Sequence, residues 1–230
     1  MKHTVIVSSY NRPTMIVDCL ESILNQTYQD FEVLIMDDGS NADTLEAIVK
    51  YVDDDRFRYF DFTKVKIPNV WRYTIGINTA LKYITGDVIH YLPDDDIFDV
   101  RRFENVNKFI EETHCDVGYG ALIYFNDRET KGLFTDIKNI ENTRFPTFDI
   151  SPENLHPFTG LLDHGQVFHS VKCFEKVKQW RWVSKCSDSY FFYDLSHYYK
   201  FHPMPLLISA KRNHSKCLMK LQNHDKELKE

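Results

Sequence analysis

The stretch Gly86-Asp87-Val88-Ile89-His90-Tyr91-Leu92-Pro93-Asp94-Asp95-Asp96 decides how the rest of the chain is read. Val88 to Leu92 is a short apolar run bounded by Gly86 and Pro93, the pattern of a buried strand entering a tight turn. Three carboxylates crowd that turn. In a solvated loop adjacent like charges cost little, but at the carboxyl end of a buried strand they point to a divalent cation, because Mg²⁺ and Mn²⁺ prefer oxygen ligands. Asp53-Asp54-Asp55 is equally acidic and serves as an internal control. It follows the amphipathic run Leu45, Ile48, Val49, Val52 and precedes Arg56, so it reads as a solvated loop.

Upstream of this stretch, strand and helix signals alternate. Thr4 to Ser8 is a β-branched run, Pro13 opens a helix with Ile16, Leu20, Ile23 and Leu24 on one face, and Phe31 to Met36 is a second strand. Asp37-Asp38-Gly39-Ser40 ends that strand, and Leu45 to Val52 gives a second helix. Phe57 to Phe60 then gives a third strand and Ile77 to Ile84 a third helix. This order predicts an α/β fold with a Rossmann-like, mostly parallel central sheet covered by helices on both faces. Ligands of such sheets bind outside the carboxyl ends of the strands. The polar clusters Ser8-Ser9-Tyr10-Asn11, Asp37-Asp38 and Asp94-Asp95-Asp96 all fall there.

Downstream the character changes. After a helix marked by Val100, Phe103, Val106 and Ile110, the strand-like runs Val117 to Phe125 and Lys131 to Ile137 flank Asn126-Asp127-Arg128-Glu129. That is a hairpin signal, so mixed sheet geometry is expected. Asn139 to Pro157, polar and carrying Pro146, Pro152 and Pro157, reads as a mobile loop over the site. His164 and His169 have neither a cysteine nor a His-x-x-x-His partner and read as ordinary hydrogen-bonded histidines. Ser187-Asp188 before Phe191, Phe192 and Leu195 reads as a cap followed by an apolar helix face. Lys220 to Glu230 reads as a frayed end.

Composition narrows the function classes. With 230 residues, 43% hydrophobic and 14% aromatic, the chain is globular and large enough for one sizeable core. A net charge of -6 argues against a nucleic-acid partner but leaves room for an anionic substrate held locally. No stretch approaches the roughly 20 apolar residues of a transmembrane helix, and the N-terminal apolar run is too short for a secretory signal. Five cysteines without Cys-x-x-Cys spacing indicate neither a disulfide framework nor a zinc site, so a reduced, cytoplasmic setting is expected. Neither Gly-x-Gly-x-x-Gly nor Gly-x-x-x-x-Gly-Lys-Ser/Thr is present, so a metal takes the place of a glycine loop at any nucleotide phosphate.

Taken together, seven stretches resemble glycosyltransferase family 2, inverting enzymes of the GT-A fold. They are Ser8 to Arg12, Ile23 to Thr27, Phe31 to Ser40, Arg72-Tyr73 with Ile77-Asn78, Gly86 to Asp96, Asp163-His164 with Val167 and His169, and Asp188 with Phe191-Phe192. They reach to about Pro205. The resemblance implies one GT-A domain over 1–230, with a nucleotide-sugar-binding half at 1–97 and a smaller, mixed acceptor-binding half at 98–230. It implies a nucleoside-diphosphate sugar donor, UDP-linked, a carbohydrate or glycoconjugate acceptor, and Mn²⁺ or Mg²⁺ as cofactor.

Residue by residue, Ser8, Tyr10 and Asp38 match positions that hold the nucleobase and ribose, Asp94 a ribose contact, and Arg72 a diphosphate contact, which suits a guanidinium. Asp95 matches the metal ligand, with Asp96 assisting and His214 in a tail segment that closes on the diphosphate in several members. Asp163 and His164 match the acceptor side, and Asp188 the catalytic base, since a carboxylate can take the proton of an attacking hydroxyl. Two departures stand out: Pro93 replaces an Asp common in the family, and Ser187 replaces a Glu. Blander readings are packing for Tyr10, a surface ion pair for Arg72 and a helix cap for Asp188. Two other functions remain open at this point, a sugar-nucleotide nucleotidyltransferase and a non-catalytic nucleotide-sugar-binding protein. The former calls for a glycine- and basic-rich loop after the first strand, which Ser8 to Asn11 is not.

Overall fold

A computed structural model describes residues 1–126, 143–146, 150–155 and 160–214. Its centre is a sheet of strands in the order β3 (Phe57–Asp61), β2 (Phe31–Asp37), β1 (His3–Ser9), β4 (Val88–Pro93), β8 (Val167–Ser170), β6 (Val117–Asn126), β9 (Phe201–Asn213), β5 (Ile97–Phe98), with β7 (Thr143–Arg144) paired on β6. From β3 to β4 all pairings are parallel, as the alternating strand and helix signals predict. Beyond β4 the sheet is mixed: β8 is antiparallel to β4 and to β6, whereas β9 runs parallel to β6.

All seven residues of β2 are buried, which is why its sequence is a continuous apolar run and not an alternation. The two faces of the central strands feed different layers. Val5, Val7, Val33 and Ile35 pack with Ile16, Cys19, Leu20 and Ile23 of α1 (Met15–Leu24). Ile6, Leu34 and Met36 point the other way, to Ile75, Ile77 and Ala80 of α3 (Arg72–Ala80) and on to Trp180, Phe191 and Phe192. This strict period of two gives the sheet a helix layer on each side.

Several boundaries differ from the sequence reading for local reasons. The helix α2 (Ala42–Val52) starts three residues before Leu45, because the Asn41 side chain caps it by accepting the Thr44 N–H at 3.1 Å. The third helix runs over Arg72–Ala80 and gives way to a 3-10 turn at Leu81–Tyr83, instead of spanning Ile77 to Ile84. Arg72 therefore lies in a helical first turn. The Asp53 to Asp55 run is a turn in which Asp54 pairs with Arg56, as a solvated loop should be. The second strand of the expected 117–137 hairpin, parts of the 139–157 loop and the 220–230 tail lie outside the described residues.

The short strands β5, β7 and β8 and the long strand β9 escape sequence reasoning, and β9 is the one that matters for the site. Pro203 and Pro205 lie inside β9 and argue against a strand, yet β9 pairs along the length of β6, with register irregularities between Tyr119 and Leu122. Its far end carries Lys211 and Arg212, with His214 just beyond.

A buried polar chain locks this mixed half to the parallel half. Arg102, first residue of α4 (Arg102–Thr113), is fully buried over the Phe98 ring, and that burial lowers its guanidinium to about 9. It donates to the carbonyls of Gly165 (2.6 Å), Val167 (3.1 Å) and Ile208 (3.3 Å), and its Nε–H to His90 Nδ1 at 3.1 Å. Because arginine only donates, His90 Nδ1 is an acceptor and its proton sits on Nε2. That N–H donates to His3 Nδ1 (2.8 Å), so His3 in turn donates from Nε2 to Asn107 Oδ1 (3.2 Å). Both rings are neutral: burial brings His3 down to about 3 and His90 well below its ordinary value.

Candidate active site

Strand register brings the three polar clusters to one rim. Ser8 lies opposite Pro93 and Ser9 opposite Asp37, so the ends of β1, β2 and β4 are level. Asp37 is fully buried and accepts the N–H groups of Gly39 (3.0 Å) and Ser40 (2.8 Å) and the Tyr59 hydroxyl (3.1 Å). Gly39, with φ of 80°, makes the turn possible, since a Cβ there would also lie 2.2 Å from Thr63 Cγ2. Asp37 thereby builds the loop that presents Asp38. Arg72 Nε donates to both oxygens of Asp38 at 2.8 Å, and the guanidinium lies over the Phe62 ring. The ion-pair reading of Arg72 holds, but its partner is itself a candidate site residue. Tyr10 is 55% exposed, so packing does not account for it.

The aspartate run is buried, and each carboxylate is held differently. Asp94 accepts the Tyr10 N–H (2.8 Å) and Arg12 Nη1 (2.5 Å). Asp95 Oδ2 lies 3.1 Å from Arg12 Nη1 and 2.9 Å from His214 Nε2. Asp96 accepts the Arg212 N–H at 2.9 Å, while Arg212 Nε donates to the Asp95 carbonyl at 3.0 Å and Nη2 reaches Asp18 at 2.6 Å. Burial pushes Asp94 up to about 7, against the pull of Arg12 and with a further push from Asp95. Burial and then Asp95 raise Asp96 well above the usual carboxylate range. Asp95 goes the other way: burial opposes its charge, but His214 and Arg12 outweigh it and hold the carboxyl low. Of the three, Asp95 is the carboxyl held low.

Asp163 caps the 3-10 turn His164–Gln166, accepting the Gly165 N–H at 3.0 Å, and pairs with Lys211. Burial opposes its charge, but Lys211 and His164 hold Asp163 far below the ordinary value. The Lys211 charge also bears on Asp95 and Asp96. His164 Nδ1 lies 3.6 Å from Asp188 Oδ2, an ion-pair distance too long for a hydrogen bond. Burial would lower His164, yet Asp188 and Asp163 raise it. A series of charged and titratable side chains thus runs from Arg12 and Asp94 through Asp95, His214, Lys211, Asp163 and His164 to Asp188.

Asp188 is not the cap of its helix. The cap of α5 (Ser187–Ser196) is Cys186, in the left-handed region at φ 53° with no side-chain capping bond. Ser187 is buried and bonds Thr74 (2.6 Å) and Tyr73 (2.9 Å) on α3, which fixes the helix start. Asp188 follows within the first turn, where helix N–H groups favour a carboxylate. His169 is the ordinary histidine expected: Nδ1–H donates to the Ser170 carbonyl (2.9 Å), the Tyr91 hydroxyl donates to Nε2 (2.8 Å), and burial brings it down to about 4.

Arg12 and Lys211 are the members of this series to which the sequence reading gives no role. Their signal was present in a basic side chain two residues beyond Tyr10 and in the Lys211-Arg212 pair, but which carboxylates they meet depends on how β1 and β4 align for Arg12 and on β9 for Lys211. Among the described residues no three His, Cys, Asp or Glu side chains are grouped to hold a metal by themselves. Asp95 and His214 are adjacent, and His214 Nδ1 is buried with no hydrogen-bond partner.

The model of the family described as glycosyl transferase family 2 matches residues 4–170. Protein CgeD of Bacillus subtilis is 34% identical over 133 residues, covering 55% of this chain and 31% of CgeD. The fold matches Staphylococcus aureus TarS 1-349 in complex with UDP-GlcNAc at a TM-score of 0.69, with 17% identity over 93% of this chain and 59% of that one. It also matches the mannosyltransferase PcManGT of Pyrobaculum calidifontis, in complex with GDP-Man and Mn²⁺, at 0.65 and 16% identity over 99% and 64%. This chain spans less than two thirds of the length of each.

Proposed function

The chain belongs to glycosyltransferase family 2, and from that premise we propose that it moves a sugar from a UDP-linked donor to a hydroxyl of a carbohydrate or glycoconjugate acceptor, with inversion at the anomeric carbon. The observation that supports this reading is the set of ion pairs that gathers Asp94 and Asp95 at the level strand ends with Arg12 and His214, and pairs Lys211 with Asp163 and His164 with Asp188. In this reading residues 1–97 form the donor half and 98–230 the acceptor half.

Ser8, Tyr10 and Asp38 hold the base and ribose, with Asp94 on the ribose. Arg72 serves twice: it orients Asp38, and its guanidinium, which also donates from Nη1 to the Val65 carbonyl at 2.5 Å, contacts the diphosphate when donor is bound. Asp95 and His214 fit a divalent ion, because Asp95 supplies carboxylate oxygens beside an imidazole whose buried Nδ1 has no hydrogen-bond partner, and because one or two protein ligands plus phosphate oxygens satisfy Mg²⁺ or Mn²⁺. When bound, such an ion neutralises charge on the departing nucleoside diphosphate. Asp96, held by the Arg212 N–H, supports the turn from within. Asp188 takes the proton of the acceptor hydroxyl as its oxygen attacks the anomeric carbon and the bond to the diphosphate breaks on the opposite face. Asp163, through Lys211, and His164, beside Asp188, line the acceptor side.

A thermal-shift panel of nucleoside diphosphates with and without Mn²⁺ tests the donor assignment. Uridine diphosphate raises Tm, Mn²⁺ enlarges the rise, and Asp95→Ala removes the enlargement, because a ligand that binds only the folded state stabilises it. A Tm indifferent to every nucleotide, with or without metal, overturns the reading.

A further inference from the structure

Asp94 and Asp95 already share a cation, and it is the chain's own. Arg12 Nη1 lies 2.5 Å from Asp94 Oδ1 and 3.1 Å from Asp95 Oδ2, the same Asp95 oxygen that His214 Nε2 reaches at 2.9 Å. The guanidinium is partly buried, so its charge is weakly screened there. A guanidinium is not deprotonated in a protein, so Arg12 carries its charge to both carboxylates. A divalent ion at Asp95 therefore meets a positive charge on the oxygen it would use. Arg12 lies in the turn before α1, two residues after the exposed Tyr10, and its carbonyl accepts the Ile16 N–H at 3.0 Å.

We propose that Arg12 is the resident counter-cation of the Asp94–Asp95 pair and gates the metal. Without donor it neutralises the two carboxylates and opposes a divalent ion. With donor it transfers to the diphosphate, whose oxygens a guanidinium can meet two at a time, and leaves Asp95 to the ion. Metal capture then requires the nucleotide, so the apoprotein does not accumulate metal. This rests on the donor-site assignment above, and its consequence is an order of binding that the assignment alone does not contain.

Mn²⁺ binding, read by electron paramagnetic resonance of the free ion with and without saturating UDP, tests it without any turnover. Wild type binds Mn²⁺ weakly alone and much more tightly with UDP. Arg12→Gln binds Mn²⁺ alone about tenfold more tightly than wild type or better, as expected when an adjacent like charge is removed, and UDP adds less. Arg12→Lys keeps the charge but cannot span two carboxylates, so its affinity for Mn²⁺ alone lies between the two. Should Arg12→Gln fail to fold, Arg12→Lys decides the matter: tighter Mn²⁺ binding than wild type supports the gate, and equal binding overturns it. Mn²⁺ affinity unchanged in Arg12→Gln, or Arg12→Lys matching Arg12→Gln, also overturns it. Failure of the donor assignment looks different: wild type then binds no UDP with or without Mn²⁺, whatever Arg12 does.

Discussion

Two buried polar systems start on the same strand four residues apart and are built on opposite rules. At His90 the chain Arg102, His90, His3, Asn107 passes one donor to each acceptor, every ring is neutral, and no charge is left over except the guanidinium, which donates four hydrogen bonds. At Asp94 to Asp96 three carboxylates share too few partners, and their proton affinities are driven apart: Asp94 and Asp96 up, Asp95 down. A satisfied network rigidifies, whereas a buried cluster of like charges is costly to a fold and makes sense where a ligand completes it. Burial alone does not tell the two apart. The direction of each proton-affinity shift and the saturation of each donor do.

The contrast is sharpest at the reaction itself. Asp188→Asn keeps the shape of the side chain and its place in the first turn of α5, but an amide cannot take a proton from the acceptor. Sugar transfer, followed as UDP release from a UDP-sugar and acceptor panel, falls by roughly 10²- to 10⁴-fold, while Tm and UDP affinity hardly move. Normal turnover would return Asp188 to a helix-end role and direct attention to Asp163 or His164.

Arg102→Met reverses that pattern. It leaves the carbonyls of Gly165, Val167 and Ile208 and the His90 acceptor without their buried donor, so stability measured by urea unfolding drops by roughly 3 kcal/mol. The folded fraction should bind UDP as before, because Arg102 touches nothing on the rim. A stable Arg102→Met protein with lost UDP binding would erase the distinction between the two systems.

The parallel half of the fold was legible because its strands are buried on both faces and its helices amphipathic, so hydrophobic period alone locates β1, β2 and α1. The rim was legible for a related reason: polar residues at the ends of apolar runs announce themselves. The interior chain was not, since His3, His90 and Arg102 are single polar residues in unremarkable contexts, and only pairing across β1, β4 and α4 joins them. Pro203 and Pro205 concealed β9, and with it the meeting of Lys211 with Asp163 and of His214 with Asp95. Long-range partners carry no local signature. Asp95 could be picked out by its position, but the partners that hold it low while its neighbours are raised, His214 and Arg12, come from distant parts of the chain.

A smaller effect probes the rim's edge. Asp38→Ala removes one partner of Arg72 and, in the proposed site, the acceptor for the nucleobase. UDP affinity by calorimetry weakens by roughly 1 to 3 kcal/mol. Asp38→Asn, which keeps an acceptor oxygen but not the charge, should recover part of the loss; no change in either variant would leave Asp38 as an anchor for Arg72 alone.

The smallest effect tests whether the interior histidines are neutral because the fold requires it. His169 titrates near 4 in the folded protein through burial, against about 6.5 when unfolded. A histidine lowered in this way leaves the unfolded chain binding more protons, so its neutral form costs nothing above pH 6.5 and stability is lost as pH falls from there towards 4. Asp94, raised to about 7 by burial, has the opposite sign: its penalty is full above pH 7 and relieved as pH falls towards the unfolded carboxylate value. Wild-type stability therefore mixes two opposed trends, and a single pH profile cannot separate them. His169→Gln does, because its amide can still donate to the Ser170 carbonyl and accept from Tyr91 but cannot take up a proton. The variant's deficit relative to wild type, measured by urea unfolding, should shrink by roughly 1 to 2 kcal/mol between pH 8 and pH 5. The Asp94 contribution is common to both proteins and cancels in that difference. A deficit identical at the two pH values would mean that His169 accepts a proton in the folded state as readily as in the unfolded one, and the division between a neutral interior and a charged rim would fail at its most buried histidine.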